Sequence, residues 1–286
     1  MTQHLDARVA MFVSRATASL GVASVALACA LTDPFARAES AKTPTADFHQ
    51  QRSRRLSHDA ASRTRWNTSW DDRDETTDVT RIIWLVRHGQ ATEEKRGEDD
   101  GTRRLTNLGR AQAEATARRL GELLRGRRVH KMTHSTMARA EETANIIARF
   151  AFPSVRRESS HLLREGAPPR PEPDTWRQSE ETHAEDAPRL ESAFRSVFHR
   201  ASTSEDRDRA TASEERDRER HDIVVCHANV IRYFVLRALQ LPPDAWLRLG
   251  LYNASVTRVE IRPDGGVSVR CLGDAGHLSP DQLTHN

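Results

Sequence analysis

From residue 81 onward, apolar and polar positions fall into blocks that spell strands and helices in turn. Residues 81–87, RIIWLVR, form a short β-rich apolar run closed by charge, which predicts a buried strand. Thr106 offers an N-cap to a helix over 107–124, ended by Gly126. A weaker strand over 129–133 leads to a helix over 137–150, which Pro153 closes. Residues 164–175, REGAPPRPEPDT, are too rich in proline for regular structure and predict a loop. A helix over 188–199 follows, and then 201–222, nearly all charged or small, reads as a solvated insertion. Residues 223–226, IVVC, are the clearest central strand, with a helix over 228–240 behind it. Val259 and Ile261 alternate with polar residues, 263–266 turns the chain, and Val267, Val269 and Cys271 alternate again, which predicts a hairpin. Strands alternating with helices imply an α/β fold, a mostly parallel central sheet with helices on both faces.

The chain before residue 80 has a different character. Residues 16–31 are uncharged and mostly apolar, and Arg8 and Arg15 precede them. A spanning helix wants about 20 such residues. Three readings stand side by side. A secretory signal peptide fits the small residues Ala28 and Ala30, a mitochondrial targeting segment fits the Arg and Ser content, and a membrane anchor fits a helix begun near Val9. Residues 32–65, with Pro34, Pro44 and the Arg52, Arg54, Arg55 cluster, show no hydrophobic period and read as a linker. Trp66 and Trp70 then stand in polar sequence, followed by Asp71. Stranded aromatics dock onto something, either their own domain or a neighbouring subunit. The organisation expected is a targeting or anchor segment over 1–31, a linker over 32–65, a Trp-containing motif over 66–71, and a domain over 79–286 carrying the 201–222 insertion.

Composition narrows the chemistry. Of 286 residues, 37% are apolar and 30% charged, which agrees with a core domain plus solvated segments. Forty-four Lys and Arg face 41 Asp and Glu, and the signs are interspersed, which argues against nucleic acid as the main partner. Three cysteines, Cys29, Cys226 and Cys271, exclude a disulfide framework and a four-cysteine zinc site. No Cys-x-x-Cys, Gly-x-Gly-x-x-Gly or Walker loop is present, so redox, dinucleotide and P-loop chemistry fall away.

Two histidines occupy equivalent places. His88 follows the first strand and His227 follows the 223–226 strand, and in such sheets ligands bind beyond the carboxyl ends of the strands. Gly89 lets the backbone turn tightly, and the amides that open the helix at Ala228 suit an anion. Arg87 and Arg139 fall at positions that aim at the same crevice. Two imidazoles and two guanidiniums make a phosphate site. As metal ligands the two histidines lack a third partner at suitable spacing. A neutral imidazole is a competent nucleophile at neutral pH, so His88 is the candidate to accept phosphorus, with Arg87, Arg139, His227 and the Ala228 amide around the transferring group. Glu165 is the candidate acid for the leaving alkoxide; the rival reading pairs it with Arg164.

The blocks around these residues carry a resemblance. Arg87-His88-Gly89, the stretch 106–113, the stretch 135–144 and His227 resemble the histidine phosphatase (phosphoglycerate-mutase-like) superfamily. Residues 162–168, 226–233, 246–249 and 272–274 resemble its mitochondrial serine/threonine-protein phosphatase branch. The resemblance covers roughly 66–286, interrupted at 201–222. It implies a phosphoprotein phosphatase that uses no metal and no cofactor, with His88 as nucleophile, Glu165 as proton donor, and Arg87, Arg139 and His227 on the phosphate. It further implies that Trp66, Trp70 and Asp71 mediate assembly of a homo-oligomeric ring that activates a neighbouring site, and that residues 9–31 anchor the chain in a mitochondrial membrane. Asn67 departs from the Asp usual in that motif. A small-molecule phosphatase or mutase, or a membrane-tethered scaffold of weak activity, are the competing expectations.

Overall fold

In the computed structural model the described residues are 66–73, 77–93, 97, 99–202 and 218–285. The chain divides into units Met1–Arg63 and Thr64–Asn286, and every described residue belongs to the second. The expected leader and linker over 1–65, and residues 203–217 of the expected insertion, lie outside the described residues. Among the described residues no helix is long and apolar enough to cross a membrane.

Six strands form one sheet: β1 (Thr80–Arg87), β2 (Val129–Ser135), β3 (Arg157–Ser160), β4 (Glu219–Cys226), β5 (Val256–Ile261) and β6 (Val267–Asp274), in the order β3-β2-β4-β1-β5-β6. The first four in that order run parallel, and β5 and β6 add an antiparallel hairpin at one edge. The expected mostly parallel α/β sheet is thus a mixed one. Helices α1 (Asn107–Leu123), α2 (Ala138–Ala151), α3 (Glu180–Val197) and α4 (Ala228–Ala238) cover it.

Period-two alternation in β1 assigns the faces. Ile83 and Leu85 pack with Val224, Cys226 and Val259 beneath Leu190, Phe194 and Phe198 of the α3 segment and Ile231 and Phe234 of α4. Ile82, Trp84 and Val86 point the other way, with Ile223 and Val225, onto Ala117 and Leu120 of α1 and Ala140, Ala144 and Ile147 of α2. Burying both faces explains why β1 reads as a continuous apolar run rather than an alternating one.

Three elements differ from expectation. Helix α3 begins at Glu180, not at 188, because Ser179 caps it by accepting the Thr182 amide at 3.2 Å. Pro188 lies inside the helix on its exposed side, and the amide it lacks would have bonded the carbonyl of Ala184, itself an exposed residue. Strand β3 was not expected, since RESS contains no apolar residue. It is the edge strand that pairs with β2, Met132 opposite Arg157, and edges favour polar side chains. Strand β4 starts at Glu219 and so absorbs the last residues of the expected insertion. Asp222 is buried there because Arg81 meets it at 2.7 Å, with side chains 3% and 4% exposed.

The Trp66–Asp71 stretch docks on its own domain. The Trp70 indole donates to the Gly265 carbonyl at 2.8 Å and packs beside Phe194. Asp71 accepts from the Arg200 amide at 2.7 Å and from its guanidinium at 2.7 Å. The Asn67 amide and carbonyl both pair with the Gln240 side chain. Trp66 is half-buried, and its indole N–H has no partner among the described residues. Gly265 holds φ +80° in the β5–β6 turn, and a Cβ there would meet the Thr68 carbonyl at 2.3 Å, so this close approach requires glycine.

Candidate active site

Strands β1 and β4 pair in parallel with Arg87 opposite Cys226, so the residues that follow them, His88 and His227, emerge side by side. Their ring centroids lie 5.1 Å apart. Arg139, the second residue of α2, directs its Nε to His88 Nε2 at 3.3 Å. Glu165 follows the short 3-10 turn His161–Leu163 and lines the same cavity of about 730 Å³ as Arg87, His88 and Arg139. The arginines and histidines are nearly inaccessible, at 6% or less, while Glu165 is half-buried.

Hydrogen bonding fixes the state of the His88 ring. Gly89 O can only accept, so His88 Nδ1, 2.7 Å away, carries the proton. Arg139 Nε can only donate, so His88 Nε2 presents a lone pair. Ser135 Oγ accepts from the Met137 amide at 3.2 Å and lies 2.9 Å from His227 Nε2. His227 is fully buried, and its Nδ1 has no hydrogen-bond partner among the described residues. No side chain caps α4, and the Ala228 amide opens it beside His227.

Electrostatics point the same way. Burial, reinforced by the Arg87 and Arg139 charges, holds His88 well below the ordinary histidine value. Burial and then His88 do the same for His227. Both imidazoles are neutral at pH 7. Burial brings Arg87 down to about 10, which leaves it protonated. Burial raises the Glu165 carboxyl, opposed by the Gly166 amide and by Arg139 and Arg87. A carboxyl so raised can hold a proton to give away. The Arg164 guanidinium lies 3.8 Å from Asp99, so the alternative pairing of Glu165 with Arg164 is replaced by that contact. Cys226 is fully buried, and burial pushes its thiol far up, so it is inert.

Sequence reasoning missed the groups that hold these side chains. Asp100 grips Arg139 through its carbonyl at 2.7 Å and its carboxylate at 2.8 Å. It sits in a loop turn with no pattern to announce it. Leu251 O fixes Arg87 at 2.7 Å. Ser135 is the last residue of β2, at the same carboxyl edge of the sheet beyond which His88 and His227 emerge, and that edge was legible.

Residues 83–273 match the model of the histidine phosphatase superfamily (branch 1). The chain belongs to that superfamily. Its sheet and helices are the phosphoglycerate-mutase-like α/β arrangement. It is 38% identical over 294 residues to the Caenorhabditis elegans protein named serine/threonine-protein phosphatase Pgam5, mitochondrial, covering 93% of this chain and 97% of that one. It is 46% identical over 210 residues to the human protein named serine/threonine-protein phosphatase PGAM5, mitochondrial, covering 73% and 67%. A phosphoglycerate mutase structure from Plasmodium falciparum matches at 31% identity and TM-score 0.48, covering 73% of this chain and 99% of that one.

Proposed function

We propose that this chain is a serine/threonine-protein phosphatase that works through a phosphohistidine on His88. The observation that carries the reading is the unprotonated His88 Nε2, held neutral among three cationic or N–H-bearing groups in a cavity that also contains Glu165. The names of relatives aligned over most of this chain support the substrate class and a mitochondrial location.

In the first step His88 Nε2 bonds to phosphorus as the phosphorus–oxygen ester bond breaks. Arg87, Arg139, His227 and the Ala228 amide take the equatorial oxygens, whose charge is the main demand of phosphoryl transfer. Glu165 passes its proton to the leaving serine or threonine oxygen. In the second step the Glu165 carboxylate takes a proton from water as its oxygen bonds to phosphorus and the nitrogen–phosphorus bond breaks. Inorganic phosphate departs and both residues return to their starting state. No cofactor or metal enters these steps.

The wider reading places the enzyme in a homo-oligomeric ring assembled through Trp66, Trp70 and Asp71 and tethered to a membrane through residues 9–31. The exposed neighbourhood of Asn67 and the docked position of Trp70 are compatible with exchange of this stretch between copies.

The test is phosphate release from a phosphothreonine peptide and from 3-phosphoglycerate, with EDTA present, by the wild type and His88→Ala. Peptide turnover that EDTA spares and His88→Ala abolishes is the expected result. Turnover of the glycerate alone would make the chain a small-molecule phosphatase or mutase, and undiminished turnover in the variant would remove His88 from the mechanism.

A further inference from the structure

The catalytic turn is held by a ring of hydrogen bonds that closes through the C-terminal segment, and no step of the mechanism above uses it. The Gly89 carbonyl and the Gln90 N–H belong to one planar peptide unit. The carbonyl end accepts the His88 Nδ1 proton at 2.7 Å. The N–H end donates to Gln112 Oε1 at 2.7 Å. Whatever orients the Gln112 amide therefore orients the His88 ring through this unit.

Gln112 is fully buried, and its Nε2 donates to the Gln282 carbonyl at 2.7 Å and to Thr284 Oγ1 at 2.8 Å. The Thr284 hydroxyl in turn donates to Asn253 Oδ1 at 3.0 Å, and the Asn253 amide donates to the Thr284 carbonyl at 2.9 Å. Asn253, also fully buried, turns its Nδ2 toward the His88 carbonyl at 3.4 Å. The Ala254 amide donates to the same carbonyl at 3.1 Å.

Every proton in this ring is dictated by its ends. The His88 carbonyl can only accept, so Asn253 must present nitrogen there and oxygen to Thr284. The Gln90 N–H can only donate, so Gln112 must present oxygen there and nitrogen to Thr284. The hydroxyl is the one group that satisfies both amides, because it accepts from one and donates to the other. Two acceptors on the C-terminal segment, the Gln282 carbonyl and Thr284 Oγ1, also forbid the flipped Gln112 amide, which would set oxygen against oxygen and N–H against N–H.

We propose that Thr284 is a positioning residue for catalysis: through Gln112 and Asn253 it fixes the Gly89–Gln90 peptide, and with it the Nδ1–H tautomer and the direction of His88. The proposal rests on the reading of His88 as nucleophile. It gives the imidazole the orienting partner that nucleophilic histidine chemistry needs, here a backbone peptide steered by an amide rather than a carboxylate.

Thr284→Val keeps the shape and removes both hydrogen-bonding functions, whereas Thr284→Ser keeps them. With p-nitrophenyl phosphate as substrate, Thr284→Val is expected to lower kcat about tenfold, the equivalent of one misdirected reacting group, with KM within twofold of wild type. Thr284→Ser is expected to restore kcat to within twofold. In wild-type protein labelled with 15N-histidine, His88 is expected to show a protonated Nδ1 and a bare Nε2, and Thr284→Val to mix the tautomers. Wild-type kcat in Thr284→Val, an equal loss in the Ser variant, or a wild-type His88 protonated on Nε2 would each overturn the proposal. A wild-type His88 protonated on Nε2 overturns the proposal even if the Val variant does not fold, and in that case Thr284→Ala, which also removes the hydroxyl, takes the place of the Val variant. Loss of the whole reaction in His88→Ala, by contrast, reports only on the underlying mechanism.

Discussion

Gly109, in the first turn of α1, touches no substrate group, yet a single methyl there is expected to disable the enzyme. A Cβ built on Gly109 would lie 2.0 Å from the Gln90 carbonyl oxygen and 2.9 Å from its carbon. An ordinary contact needs about 3.5 Å, so either the helix or the catalytic turn must retreat by more than about 1 Å. The turn has little freedom, because the His88 amide is bonded to Cys226 O at 3.0 Å and the Gly89 amide to Thr143 Oγ1 at 3.1 Å. The helix has little either, since Thr106 caps it at Gly109 and also donates its amide to Gln90 O. Overpacking of this kind costs about 1–3 kcal/mol of stability, and a displacement near 1 Å at a reacting group costs about a hundredfold in rate. Gly109→Ala should therefore lose about two orders of magnitude in p-nitrophenyl phosphate turnover and unfold at lower urea. The same helix supplies the control. A Cβ on Gly121 meets only the Ala151 methyl at 3.5 Å, an ordinary contact, so Gly121→Ala should stabilise by about 0.5–1 kcal/mol and leave turnover unchanged. Wild-type turnover in Gly109→Ala would refute the idea that this backbone approach sets the catalytic turn.

Two further outcomes follow from the charges. Glu165→Gln should slow release from a phosphothreonine peptide about a hundredfold but slow p-nitrophenyl phosphate much less, because p-nitrophenolate leaves without a proton. Since burial raises Glu165, the wild-type peptide rate should fall as pH climbs through that raised value and the acid form is lost, and since His88 is depressed, the acidic limb should lie well below 6.5. Equal losses on both substrates would exclude Glu165 as the acid. Asp222→Ala should cost about 3–5 kcal/mol by leaving the buried Arg81 charge without its carboxylate. Charge attraction from Arg81 and Arg220 outweighs burial and holds Asp222 low, so its stabilisation is complete above the unfolded carboxylate value of about 3.9 and fades as pH falls through the folded one. Urea titrations at several pH values check this, and a loss under about 1 kcal/mol would show the pair to be idle.

The parts of this molecule that were legible in the sequence are those whose signal is local. Apolar density marked β1 and β4, the Thr106 cap and Gly126 bounded α1, and the position after a buried parallel strand picked out His88 and His227. What escaped depends on partners far along the chain. Strand β3 has no apolar residue and exists because β2 offers it an edge. The start of β4 looked solvated until Arg81 made a buried Asp222 tolerable. Helix α3 runs through Pro188 where both Pro188 and Ala184, whose carbonyl loses its bond, are exposed residues. In the site, Asp100 steadies Arg139 from a loop without periodicity, and Thr284 acts through two amides that sit 172 and 31 residues away from it.

That separation also bears on how the site comes into being during synthesis. The His88 carbonyl waits for Asn253, 165 residues later, and the amide that steers the His88 peptide waits for Thr284. A ribosome-bound chain can pair β1 with nothing lasting until β4 has been made, and can complete the turn only after residue 284 has cleared the exit tunnel. Nascent chains, and chains ended before residue 284, thus lack the contacts that orient His88, and the order of translation itself leaves the nucleophile's peptide unsteered until the domain that governs it is whole.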